Sequence, residues 1–139
     1  MPADELVRFS VSLPRRLLDD LDARFTRQGY PSRSELVRDL IRERLVAERW
    51  EGGRSPVVGV LVISYDHHRR GLTDRLIDLQ HDRRLNVLCT THVHLDHDHC
   101  LETLILKGRP AEIRKLATRI GGLKGVRFAR LTRASALPG

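Results

Sequence analysis

The sequence predicts an α+β protein in two parts. A strand–helix–helix segment occupies residues 1–50, and a ferredoxin-like βαββαβ domain occupies residues 57–139, with a linker at 51–56. Three observations carry this. Residues 6–12 alternate apolar and polar side chains with the period of a strand, and two helical patterns follow. Glu51-Gly52-Gly53-Arg54-Ser55-Pro56 then breaks the second helix. Beyond it, strand and helix patterns succeed one another in the order of a split βαβ unit.

The elements can be justified in turn. Val7, Phe9 and Val11 alternate with Arg8, Ser10 and Ser12, giving a strand with one apolar face. Pro14 suits the first turn of a helix, in which Leu17, Leu18, Leu21 and Phe25 recur at helical spacing, and Gly29 suits its C-terminal stop. Ser32-Arg33-Ser34-Glu35 is a capping box. It opens a second helix, with Leu36, Val37, Leu40, Ile41 and Leu45 on its apolar face, that runs to about Trp50. After the linker, residues 57–65 form an apolar run of strand length, and Leu72, Leu76, Ile77 and Leu79 mark a helix over 71–81. Residues 86–95 and 100–106 read as strands. Pro110 starts a helix carrying Ile113, Leu116, Ala117 and Ile120, Gly121-Gly122 stops it, and residues 126–131 are a last strand.

About 45 residues of strand and two helices cannot bury enough surface to be stable alone, and a lone strand needs a partner edge. The economical solution is a dimer whose strands pair antiparallel and whose four helices share a core. Val7, Phe9 and Val11 then turn inward, and Arg8, Ser10 and Ser12 face out from a two-stranded ribbon able to read base edges in a major groove. Net charge is +7, which favours a polyanionic partner. The first fifty residues are nevertheless almost balanced, with ten Arg against nine acidic residues. No apolar run approaches the ~20 residues of a membrane span, and the polar N-terminus does not read as a signal peptide. Two cysteines are too few for a secreted disulfide scaffold, so a reduced, cytoplasmic protein is expected.

All seven histidines and both cysteines fall between His67 and Cys100. Imidazole and thiolate together suit zinc, copper, nickel or cobalt rather than calcium or magnesium. Strand period puts His92 and His94 on one side, and an antiparallel return brings Cys100 beside them. His81, from the same subunit or a neighbour, is the natural fourth ligand. Zinc would take such a set tetrahedral, while nickel or copper would favour a square plane, and spacing does not choose. Glu102, on the face of Cys100, is placed to orient a histidine N–H. Cys89 is out of phase with the histidines and reads as a small buried residue. His67, His68, His97 and His99 read as ordinary surface or turn residues, with His97 and His99 open to accessory metal binding.

The chain resembles the nickel-responsive regulator NikR family. The residues are Arg8-x-Ser10-x-Ser12, Gly29-Tyr30-x-x-Arg33-Ser34-Glu35, and above all Gln80-His81, His92-Val93-His94 and His97-Asp98-x-Cys100-Leu101-Glu102. The resemblance covers nearly the whole chain. It implies a ribbon-helix-helix DNA-binding domain, an ACT-type ferredoxin-like domain, and a homotetramer built as a dimer of dimers. It implies one square-planar Ni(II) per subunit, held by His92, His94 and Cys100 of one subunit and His81 of another. On double-stranded operator DNA, Arg8, Ser10 and Ser12 match base-reading positions, Arg33 and Ser34 match phosphate contacts, and Arg69 and Arg70 match a basic DNA-touching loop. Glu35 and Asp39 match an interdomain hard-cation site, potassium in the family. Two departures stand out: serines replace the family's usual threonines on the reading strand, and Asp82-Arg83-Arg84 replaces a histidine run found in some relatives.

The implied role is a nickel-activated repressor of nickel uptake, not an enzyme. Rival readings are a regulator that responds to cobalt, zinc or copper, an ACT domain that binds a small molecule, a metalloenzyme or metal store, and an antitoxin-type repressor. The soft ligands argue against an amino-acid pocket. The absence of His-Glu-x-x-His and a closed set of four ligands argue against an enzyme. The folded pattern of residues 57–131 argues against a disordered toxin-binding tail.

Overall fold

A computed structural model describes residues 4–81 and 84–134. The chain divides into two compact units, with the change between Leu45 and Val46.

In the first unit, residues 4–14 carry no regular secondary structure. Val7 is 78% exposed and Phe9 73%. The apolar alternation expected of a strand is present, but among the described residues of one copy this segment pairs with no other strand. Helix α1 (Arg15–Gln28) follows, with Pro14 as its N-cap rather than inside the first turn. Gly29 ends it at φ 68, the left-handed conformation glycine adopts without penalty. The amides of Gly29 and Tyr30 return to the carbonyls of Thr26 and Phe25, closing a Schellman cap. Helix α2 (Arg33–Gly52) opens where the capping box predicts, and Ser32 Oγ accepts the Glu35 amide at 3.2 Å. Leu36 is buried on α2, while Ile41 and Leu45 on the expected apolar face remain exposed.

The second unit holds β1 (Val57–Asp66), α3 (Leu72–Gln80), β2 (Leu85–His94), β3 (His99–Gly108), α4 (Pro110–Gly121) and β4 (Val126–Ala134). These strands form one antiparallel sheet in the order β2-β3-β1-β4, which is the ferredoxin-like arrangement. Alternate β1 residues, including Leu61, Ile63 and Tyr65, are fully covered. With Cys100, Leu104 and Leu106 of β3 they pack against Leu72 and Leu76 of α3 and Ile113, Leu116 and Ile120 of α4. Trp50, near the end of α2, belongs to the same core, and its indole N–H donates to the Ala134 carbonyl at 3.2 Å. Gly59 makes room for it, since a Cβ there would stand 3.0 Å from the indole ring.

The opposite sheet face is half-buried along β1 and β3 and more exposed on β2 and β4. Val93 and Phe128 are exposed on it, and so is Cys89, which the sequence reading expected to be buried. The phase of Cys89 was read correctly, for it pairs with Ile105 and points away from the histidines. The core of the second unit, with α3 and α4, lies on the other side of the sheet, and β2 is an edge strand.

Candidate metal centre

The register of the sheet assembles the site. Cys100, near the start of β3, lies opposite Tyr65 of β1 on one side and His94 of β2 on the other. His67 follows two residues after Tyr65, just past the end of β1. Its backbone N–H donates to the Asp98 carbonyl at 3.1 Å, tying the β1–α3 loop to the β2–β3 turn. The Cys100 Sγ, fully buried, therefore stands 3.2 Å from His67 Nδ1 and 3.4 Å from His94 Nδ1.

Burial pushes the Cys100 thiol up, and the nearby carboxylates of Glu102 and Asp96 push it further. Desolvation pushes His67 down, helped by the neighbouring His68 and His94 rings. A neutral imidazole offers its lone pair, and a cation at this point would take the thiol's proton away as it bound. The spacing suits a shared ion. With bonds of ~2.3 Å to sulfur and ~2.05 Å to nitrogen, donor atoms lie roughly 3.1 Å apart at a right angle and roughly 3.6 Å apart at a tetrahedral one. The two S–N separations of 3.2 and 3.4 Å fall between these limits.

Of the ligands named from the sequence, the fold brings His94 and Cys100 together. His92 lies one pleat along β2, opposite Glu102, with its ring centroid 5.2 Å from that of His94. His81 caps the C-terminal end of α3, exposed and outside the cluster. The third member within one chain is His67, which the sequence reading assigned to the ordinary surface. A signal for it existed. The split βαβ order makes β1 and β3 neighbours, so a residue just beyond the end of β1 must lie near the start of β3.

Glu102, expected to orient a histidine N–H, is held by other donors among the described residues. It is buried and accepts from the Tyr65 hydroxyl at 3.1 Å and the Gln80 amide at 3.5 Å. The reason is topological: β1 and α3 cover β3 at this point and deliver their own donors first. The turn between β2 and β3 is held by Asp96. Its Oδ1 accepts the Asp98 and His99 amides, both at 2.8 Å, and stands 2.9 Å from His99 Nδ1. These bonds, the Asp98 amide foremost, lower the Asp96 carboxyl to about 2.

Arg8, Ser10 and Ser12 all lie exposed in the segment without regular structure. At the α2 N-terminus Ser34 is exposed, whereas Arg33 is gripped by both Asp22 oxygens at 2.7 Å. Arg69 and Arg70 are exposed and line a cleft with Arg75 and Lys124. Glu35 and Asp39 sit one turn apart on α2, but each is engaged. Arg38 pairs with Glu35 at 2.7 Å, and Asp39 accepts from Tyr30 at 2.8 Å and Arg42 at 3.0 Å.

Comparison with known proteins agrees with this division. Residues 58–134 match the family described as the NikR C-terminal nickel binding domain, and residues 7–48 match the ribbon-helix-helix protein, copG family. Among curated relatives, one from Helicobacter acinonychis named as a nickel-responsive regulator is 56% identical, over 95% of this chain and 91% of its own. One of the same description from Campylobacter concisus is 48% identical over 95% and 96%. Among solved structures, the ACT domain from GTP pyrophosphokinase of Chlorobium tepidum superposes with a TM-score of 0.50 at 11% identity. It covers 56% of this chain and 100% of its own, a likeness of fold alone.

Proposed function

Because this chain belongs to the nickel-responsive regulator family, we propose that it is a transcriptional repressor that binds operator DNA when loaded with Ni(II). The observation that carries the reading is the buried Cys100 thiol with imidazole nitrogens at 3.2 and 3.4 Å, inside the domain that matches the nickel-binding family. The ion is assigned to Cys100, His94 and His92 of one chain and His81 of another copy, one ion per chain. His67, already against the thiol, is the rival for one of these positions. Ni(II) held by these residues would supply a cross-link between chains, for which thiolate and imidazole are suitable donors.

The chain's own residues do the rest. Two copies pair residues 6–12 as an antiparallel ribbon, burying Val7, Phe9 and Val11 and presenting Arg8, Ser10 and Ser12 to base edges. Ser34 and the free amides of the α2 N-terminus hold a phosphate, and Arg33, steadied by Asp22, offers its remaining N–H groups. Arg69 and Arg70 add a phosphate contact from the second unit. Two such dimers, joined through the ACT-type domains, make the tetramer. The metal controls binding only so far as it holds one arrangement of these parts better than the other.

The test is operator binding by purified protein with and without one equivalent of Ni(II). Cys100→Ala and His92→Ala are expected to abolish the nickel-dependent gain, whereas His67→Ala leaves it in place. Unchanged binding in Cys100→Ala overturns the reading, and loss confined to His67→Ala reassigns the ligand set.

A further inference from the structure

The positive charge of the chain is concentrated in one stretch. Residues 103–134 hold nine Lys and Arg against one acidic residue, Glu112, while the whole chain carries a net charge of +7. All nine cations are exposed. We propose that the outer face of α4 is a sequence-independent contact surface for the phosphate backbone of duplex DNA, formed by residues other than those of the ribbon and of the Arg69–Arg70 loop. The proposal rests on the reading of this chain as a DNA-binding regulator and adds a surface that holds DNA without reading it.

The helix sorts its side chains by face. Ile113, Leu116 and Ile120 turn into the core, which leaves Arg114, Lys115, Thr118 and Arg119 on the solvent side. They stand in two neighbouring rows, 114–118 and 115–119, with about 6 Å of helix rise between the members of each. With Arg84 they line a cleft of about 510 Å³. Arg114 and Thr118 also border a second cleft, of about 460 Å³, that includes Ala129 and Leu131 of β4. Glu112 is already engaged, with Lys115 Nζ at 3.7 Å and Arg84 Nε at 3.8 Å. Among the described residues no carboxylate pairs with Arg114 or Arg119. The Arg114 guanidinium lies over the Trp50 ring, 5.9 Å from its centroid, a contact that fills none of its N–H donors with an acceptor.

This chemistry selects the partner. A protein interface is built round buried apolar or aromatic anchors, and α4 exposes no large apolar side chain. A phosphate backbone asks only for cations at intervals. Its binding is driven by release of condensed counterions, and contacts to it carry no sequence information. Long, flexible stems with charged heads meet that need without a preformed pocket. The first fifty residues have no such surplus, since their ten Arg face nine acidic residues. Reading and holding are therefore divided: the ribbon supplies contacts to bases, and α4 supplies Coulombic attraction.

The test uses the full-length protein without nickel and a random-sequence duplex, with affinity measured over a series of salt concentrations. Each lost phosphate contact takes about 0.9 from the slope of log K against log salt. Arg114→Gln/Lys115→Gln/Arg119→Gln is expected to lower that slope by about 2–3 and to weaken binding by roughly tenfold or more at the lowest salt. Lys115→Gln/Arg119→Gln spares the Arg114–Trp50 contact, changes only exposed side chains, and lowers the slope by about 2. Arg24→Gln/Arg27→Gln/Arg54→Gln removes as much charge elsewhere and lowers it by less than about 1. An unchanged slope in both α4 variants, as a surface made for an acidic protein would give, overturns the proposal, and so does an equal fall in the variant altered elsewhere. The nickel-dependent gain on operator duplex is read in a separate titration. Its absence from the unmodified protein counts against the repressor reading and leaves the slopes on random duplex as they are.

Discussion

Residues 6–12 and strand β1 have closely similar patterns and opposite fates. Both alternate or run apolar over strand length, and both precede a helix. β1 has β3 on one side and β4 on the other, and its alternate residues are fully covered by α3 and α4. Residues 6–12 have neither neighbour, and Val7, Phe9 and Val11 are each more than two-thirds exposed. The difference teaches where the chain finishes its own folding. The second unit completes its sheet and covers the helix side of it within one copy, although β2 stays an edge strand and Val93 and Phe128 stay exposed on the other side. The first keeps an apolar face exposed on a segment with a strand's pattern, which pairing with another edge would cover.

Three changes would break or sharpen that contrast. The largest effect is expected at Trp50, where truncation removes a fully covered indole from the self-sufficient unit. Trp50→Ala should cost about 3–5 kcal/mol in urea unfolding, at every protein concentration. A loss that faded as the protein was concentrated would move Trp50 into the class of interface residues. Phe9→Ala comes next and should behave in the opposite way. An exposed phenylalanine of a monomer would change stability by less than about 0.5 kcal/mol. If two copies pair, its loss should cost about 2–3 kcal/mol per chain and appear as dissociation in sedimentation at low concentration. Indifference of both stability and association to Phe9→Ala would remove the ribbon. The smallest effect concerns local structure. Ser32→Ala removes the oxygen that caps α2 and should cost about 1 kcal/mol, visible as a lower unfolding midpoint with DNA contacts left in place.

The fold was legible because its signals are local. The capping box at Ser32, the stop at Gly29, Pro110 at the start of α4 and the alternating burial of β1 each follow from a few consecutive residues. The approach of His94 to Cys100 was legible for the same reason: strand period and a hairpin return suffice to bring the two together. The approach of His67 to the thiol is not legible in short-range pattern, because it is set by β1 lying beside β3, a pairing between segments more than thirty residues apart. The partners of Glu102 in one copy are hidden for a related reason, since Tyr65 and Gln80 reach it from β1 and α3. Cys89 shows the converse error. Phase tells which side a strand residue faces, and only the packing tells whether that side is covered.

By itself, then, the sequence determined the order of elements, the faces of the strands, the chemistry of the ligands and the family, all of which depend on residue type and short-range period. Tertiary structure decided which donors share a neighbourhood. It placed His67 against the thiol and turned Glu102 to a tyrosine. The physical reason is that a ligand set is a matter of a few tenths of an ångström between atoms on different strands, and only sheet order and register set distances of that kind.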